Sequence, residues 1–427
     1  MVKKYLLLLI LVVLSTPVLA QNIHLIESLR KKASTSSGKE KVALLNDLAW
    51  EYRSAYPDST IYYAQQAFAL AKELKLTIGL SEPLNFIGVA YTTKGNRIKS
   101  YEYFDQALKL STLYNDSLQL AHSNNNLGRL FFEQGILSRA YDYFIRAQAI
   151  FENINDASGL AYTYQSLARL YKSQRDNVKA ENNYLKATKI RIQLGNTPDI
   201  TSAFIQTGRF YQENNEHEKA LLYLHQADST ASSIEDEINL AEIKTLIAKS
   251  YSFQGRVEEA RRMGLDGLKV ILEKNNVRMQ PQAYLTMGLV EFAANNIAQA
   301  KKYFTMALDI SSKNKDLNAK MGAHYNLWKI SEKELNKTAE LQNMSQYLIL
   351  RDSIKDLDLA RQVERFQFEI EIGRKEQENE LLKLEQSKTE ATIKQQRLQN
   401  IILVIITASI SALVFVQWRN IKKRREI

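Results

Sequence analysis

The sequence predicts an all-α protein: a solenoid of about eight helix-turn-helix units, then a long helical stalk, then one transmembrane helix. Three observations carry this prediction. Gly and Pro are scarce, at 15 and 5 of 427 residues, against a background of residues that favour helices. A pattern of small and large apolar residues returns every forty residues, the mark of stacked supersecondary units. An uncharged apolar run fills residues 400–418. A chain of this length exceeds what one core organises, and a repeat array buries its apolar faces by stacking neighbour on neighbour.

The N-terminal element, residues 1–20, reads as a signal peptide. Lys3 and Lys4 precede an apolar run from Tyr5 to Leu14, and Pro17 leads to the exit Val18-Leu19-Ala20 before Gln21. The alternative is an uncleaved anchor helix, against which the run is short. With no Cys, disulfides, thiolate zinc sites and thiol catalysis are all excluded, a composition that suits an exported bacterial envelope protein. Residues 21–40 form a lead-in to the repeats.

The solenoid occupies residues 41–354. Its register is strict: Asn124, Leu127, Gly128, Phe131, Ala140, Phe144 and Ala147 recur as Tyr164, Leu167, Ala168, Tyr171, Ala180, Tyr184 and Ala187. Phe204, Thr207, Gly208, Tyr211, Ala220, Leu224 and Ala227 repeat them once more, and Leu84, Ile87, Gly88, Tyr91, Ser100, Phe104 and Ala107 stand one period earlier. Weaker copies surround Leu48 and Ala49, Ile247 and Ala248, and Met287 and Gly288, and a degenerate one surrounds Leu327 and Trp328. Small residues on a first helix let a second approach, and the aromatic fills the remaining gap. These residues resemble the tetratricopeptide repeat. The period of forty, longer than that family's usual unit, implies helices about one turn longer plus connecting residues such as Asn96, Asn177 and Asn215.

Residues 355–399 form the stalk, in which Leu359, Val363, Phe366 and Ile370 have the spacing of a coiled-coil seam, interrupted by Gly373 and polar residues 374–380 before Leu381 and Leu384. A homodimer through the stalk and a solvated single helix are both open. At ~1.5 Å per residue the run 400–418 spans ~28 Å, close to a bilayer core of ~30 Å. The basic tail 419–427, with Arg419, Lys422, Lys423, Arg424 and Arg425, places the C-terminus in the cytoplasm by the positive-inside rule. The expected protein is therefore single-pass in the inner membrane, with residues 21–399 periplasmic. The formal charge of +10 shrinks on this map. Lys3 and Lys4 carry +2 and the tail +4, which leaves +4 for the rest, too little for a nucleic-acid surface.

No catalytic constellation is legible. The five His, at 24, 122, 217, 225 and 324, show no metal-ligand spacing, and no Gly-rich loop or nucleophile elbow occurs, so no metal, cofactor or enzyme activity is expected. The Tyr at 91, 171, 211 and 251 read as core packing. The informative residues follow the small position of the first helix: Arg129, Arg169, Arg209 and Lys249, one cation per unit. Four residues before this position stand Asn85, Asn125 and Gln165 on the same helical face. In the resembled family these positions line the concave groove, which implies a ladder of cations beside a ladder of amides, suited to an extended peptide or an acidic polymer. Equally open is pairing of each Arg with Glu four residues on, such as Glu133 or Glu213, for solubility alone.

The order of parts, with segments such as "LILRDSIKDLD", "KEQENELLKLE" and "QWRNIKKRRE", resembles the periplasmic sensor half of membrane-anchored tetratricopeptide-repeat histidine kinases or helix-turn-helix regulators of Gram-negative bacteria. The resemblance implies a non-enzymatic receptor for a protein or peptide partner in the periplasm, serving a signalling system. The chain stops nine residues after Trp418, and the expectation is therefore that it lacks the output domain. An envelope-assembly scaffold and a truncated relic of a longer sensor are the alternatives.

Overall fold

The computed structural model describes residues 20–53 and 55–425; the predicted signal peptide, Ala20 excepted, and the last two residues lie outside the described residues. The chain divides into two compact units, residues 1–365 and 366–427.

The first unit is a helical solenoid. Helix α1 (Ala20–Thr35) is followed by seven helix pairs: α2 (Gly38–Tyr52) with α3 (Pro57–Glu73), α4 (Glu82–Thr93) with α5 (Arg97–Leu113), α6 (Ser117–Glu133) with α7 (Leu137–Asn153), α8 (Ala157–Ser173) with α9 (Asn177–Leu194), α10 (Thr197–Glu213) with α11 (His217–Ser233), α12 (Glu237–Phe253) with α13 (Val257–Glu273), and α14 (Gln280–Ala293) with α15 (Ile297–Lys313). Helix α16 (Leu317–Lys333) pairs with the first turns of α17 (Lys337–Arg425). The lead-in is therefore not a simple connection: α1 packs Ala33 with Ile26 and Leu29 against Leu48 and Tyr52, which caps the first pair.

Helices of 17 residues joined by three-residue turns produce the period of forty. Each turn has one residue in the left-handed region, and these fall twenty apart: Asn115, Gly135, Asn155, Arg175, Gly195 and Asn215, onward to Leu335. At Gly135 (φ 74°) the helix ends in a Schellman motif, in which Ile136 N donates to Phe131 O at 2.9 Å and Gly135 N to Phe132 O at 2.9 Å. The following residue caps the next helix. Asp116, Asp156, Asp176, Asp236 and Asp316 each accept a backbone N–H of the first turn. Such a cap is worth ~1 kcal/mol.

The Gly-to-aromatic register is a size match. A Cβ on Gly128 would lie 2.5 Å from the Phe144 ring, and Gly88 and Gly288 meet Phe104 and Phe304 in the same way. The first pair inverts the match, with buried Leu48 on the first helix and Ala64 on the second. In the sixth pair both positions are small, Ala248 and Gly264, and Met287 of the next pair occupies the space. Close packing, rather than residue identity, is what the repeat conserves between units.

No break separates the last repeat, the stalk and the apolar run. Helix α17 runs for 89 residues, through Gly373 as well as the boundary expected at 354. Val363, Phe366, Ile370, Leu381 and Leu384 are each more than half exposed, while Leu359 lies outside the described side chains. By length and composition this helix can cross a membrane: within Arg361–Arg419 an 18-residue window has mean hydropathy 2.4 and none of it is buried.

Candidate functional site

The first helices of the middle pairs build the inner face of the solenoid. Helix α8 contributes Gln165, Arg169 and Lys172, α10 contributes Gln206, Arg209 and Glu213, and α12 contributes Asn239, Glu242 and Lys249. They line two concavities of about 680 and 570 Å³ that share Arg209, Glu213 and Glu242, and so form one continuous groove. Its aromatic wall consists of Phe132, Tyr184 and Phe210.

The predicted cation ladder divides by partner. Arg129 sits apart in a small concavity beside α4 and pairs with Glu133 at 3.9 Å, the pairing four residues on that the sequence offers. Arg209 instead pairs with Glu242 of the next unit, and Glu213 pairs with Lys172 of the previous one at 2.7 Å. The guanidinium of Arg169 lies 5.3 Å from the centre of the Phe132 ring and, among the described residues, has no carboxylate partner. Nor has Lys249, whose ammonium is half-buried. Burial holds its pKa below the ordinary lysine range, with Arg209 pushing the same way and Glu213 opposing. Tyr184, buried beside Arg169, has its phenol pushed up to about 12 by desolvation.

The amide ladder is corrected by the structure. Asn85 is 4% exposed and donates to Gln119 Oε1 and Ser123 Oγ on the neighbouring first helix, while Asn126 donates to its oxygen. Asn125 is likewise buried, and its Oδ1 has no hydrogen-bond partner. Both belong to the seam between adjacent first helices, because a residue four before the ladder position is turned ~40° around a helix of 3.6 residues per turn. Only Gln165 reaches the groove, donating to Gln206 Oε1 at 2.5 Å.

Sequence reasoning missed Glu242, Gln206 and Asn239. Glu242 could have been found, since it stands seven residues before Lys249, two turns along one face. In the same register, His122, Tyr162 and Ser202 show no common chemistry, which hid the signal. The Tyr positions are packing sites, as expected from the period: Tyr211 and Tyr251 are buried, with Tyr211 donating to Glu181 and Tyr251 paired to His225 at 2.9 Å. Among the described residues no group of three or more His, Asp or Glu is arranged for a metal ion.

Residues 81–112, which take in α4 and all but the last residue of α5, match the tetratricopeptide repeat family model. No curated protein matches the chain. Among solved structures, the chain is similar to a signal transduction ATPase with numerous domains carrying a tetratricopeptide repeat sensor, from Pyrococcus horikoshii, with TM-score 0.60 and 15% identity. That match covers 81% of this chain and 52% of the other, so the chain spans about half the length of that protein. It is similar to aspartyl phosphate phosphatase F from Bacillus subtilis, with TM-score 0.55 and 11% identity over 78% of this chain and 89% of that one. It is also similar to a Rap protein complexed with Competence and Sporulation Factor, with TM-score 0.50 and 12% identity over 78% and 97%. At these identities the likeness establishes the fold, a tetratricopeptide-type helical solenoid.

Proposed function

We infer that this protein is a membrane-anchored, non-enzymatic tetratricopeptide-repeat receptor that captures a protein or peptide segment on the inner face of its solenoid, on the periplasmic side of the inner membrane, for a signalling system. The observation that carries the reading is the continuous groove in which, among the described residues, Arg169 and Lys249 have no ion-pair partner and stand beside amides able to bond a peptide backbone. A half-buried ammonium without an acceptor is a cost that folding alone does not require. The apolar run of α17 supplies the anchor, and the exposed Val363, Phe366 and Ile370 supply a face for a homodimer. The solved Rap protein, complexed with Competence and Sporulation Factor, supports partner capture by a solenoid of this type.

The test is photo-crosslinking in intact cells from a residue of the groove, such as Gln206, comparing the parent with Arg169→Glu/Arg209→Glu. Capture of a partner that is lost in the double variant supports the reading; unchanged capture sinks it. One observation favours a second reading, an envelope scaffold without ligand: Lys172–Glu213 and Arg209–Glu242 neutralise part of the groove internally.

A further inference from the structure

The turns of the second and third helix pairs meet a segment of the same chain. Glu364 of α17 accepts from Arg97, at the start of α5, at 2.8 Å. Arg365 Nη1 donates to the carbonyl of Gly135 at 3.3 Å, in the turn between α6 and α7. Between them lies a cavity of about 300 Å³ lined in part by Arg97, Phe132, Gly135, Arg361 and Arg365. These contacts join residues more than two hundred apart in sequence, and both ends of the Arg97–Glu364 pair are about half exposed. A solvent-screened pair of this kind opens readily.

Phe132 connects this place to the groove. Its ring forms part of the wall of both the strap cavity and the larger groove concavity, and Arg169 lies over it on the groove side. We propose that residues 361–365 are a strap over the turns of the second and third pairs, and that its engagement is linked through Phe132 to occupancy of the cavity at Arg169. The proposal rests on the reading of that cavity as a binding site. A ligand that draws Arg169 off the Phe132 ring releases the ring and loosens the strap, and by reciprocity a fastened strap disfavours the ligand. The strap belongs to the same unbroken helix that continues into the apolar run, so its fastening is a local event on the element that carries the anchor. Its weakness is a requirement of the device, because only a pair of states close in free energy can be biased by one ligand.

The absence of Cys permits a direct test in the full-length protein in membrane vesicles. Gln134→Cys/Gln362→Cys places two thiols on the strap cavity and leaves Arg97, Glu364 and Arg365 intact. A short bismaleimide should bridge them efficiently, and Arg97→Glu should lower the yield as the positive control. The linkage predicts that Arg169→Glu and Phe132→Ala each lower the yield about threefold or more, while Lys219→Ala, remote from the cavity, leaves it unchanged. No crosslink in the parent pair overturns the strap. An efficient crosslink indifferent to both Arg169→Glu and Phe132→Ala overturns the linkage; if Phe132→Ala unfolds, the surface change at Arg169 decides alone. No ligand is added, so failure here is separate from failure of partner capture.

Discussion

At the start of the second helices, Lys99, Arg139, Lys179 and Lys219 stand over the rings of Tyr91, Phe131, Tyr171 and Tyr211, each eight residues earlier, at 5.2, 4.3, 5.3 and 5.0 Å. In three units a second ring stacks beneath at 5.5 Å, from Tyr103, Tyr143 or Tyr223. On the inner face, Arg129, Arg169, Arg209 and Lys249 follow the same period, yet one meets a Glu of its own helix, one a ring, one a Glu of the next unit and one, among the described residues, no acceptor. Uniform partners at every rung are what selection for packing leaves. A ladder of constant charge and varied partners is not accounted for by packing, and this is the contrast on which the proposed groove rests.

The comparison breaks most severely at the rings. Tyr211 is buried, stacks on Tyr223 and donates to Glu181, so Tyr211→Ala is expected to cost about 3 to 5 kcal/mol in urea denaturation. Partner capture per folded molecule should stay unchanged. A loss of capture in a variant shown to be folded would mean that the two faces are not separable.

The reverse dissociation is expected on the inner face. Arg169→Glu/Arg209→Glu should weaken partner binding at least tenfold, about 1.4 kcal/mol or more, while stability shifts by only about 0.5 kcal/mol. An equal fall in both quantities would make the groove cations ordinary packing.

How much of this was legible follows from where the period acts. The forty-residue match gave the helix pairs because Gly128 and Phe144 must fit each other in volume, and volume is a property of residue type. It also separated Tyr211, a packing residue, from Arg209, two positions earlier. The twenty-residue rhythm of the turns was hidden, since Lys75, Arg175, Glu235, Lys315 and Leu335 occupy the left-handed position that Asn and Gly fill elsewhere. The placing of Asn85 and Asn125 failed because a helical face has no sharp edge, and the seam with the next first helix begins within one residue of the groove. The Arg97–Glu364 contact was invisible altogether: the two residues share no period, and only the folding of the chain brings them together.

Among the cations the outer rung Lys219 sharpens the contrast at smaller scale. It covers the Tyr211 ring and pairs with Glu216 at 2.7 Å, so Lys219→Ala should lower the urea midpoint slightly and leave capture unaffected.

Lys249 should give a small change in stability and the most telling sign. Its burial lowers the ammonium pKa, so at neutral pH the folded chain holds a charge that water would hold more favourably. Lys249→Met fills the same volume without that charge, and its stability should equal or exceed the parent's by up to about 1 kcal/mol. The pH dependence follows from the same fact. Between the lowered folded value and the unfolded value of about 10.4, the unfolded chain binds the proton more, so the parent gains stability as pH rises through this window. The Met variant should lack that gain, and the two denaturation curves should converge toward pH 10.4. If Lys249→Met also reduces capture, the inner ladder retains a cation at the expense of the fold, which no rung over an aromatic ring does; if it destabilises and binds as the parent does, Lys249 belongs with the packing ladder after all.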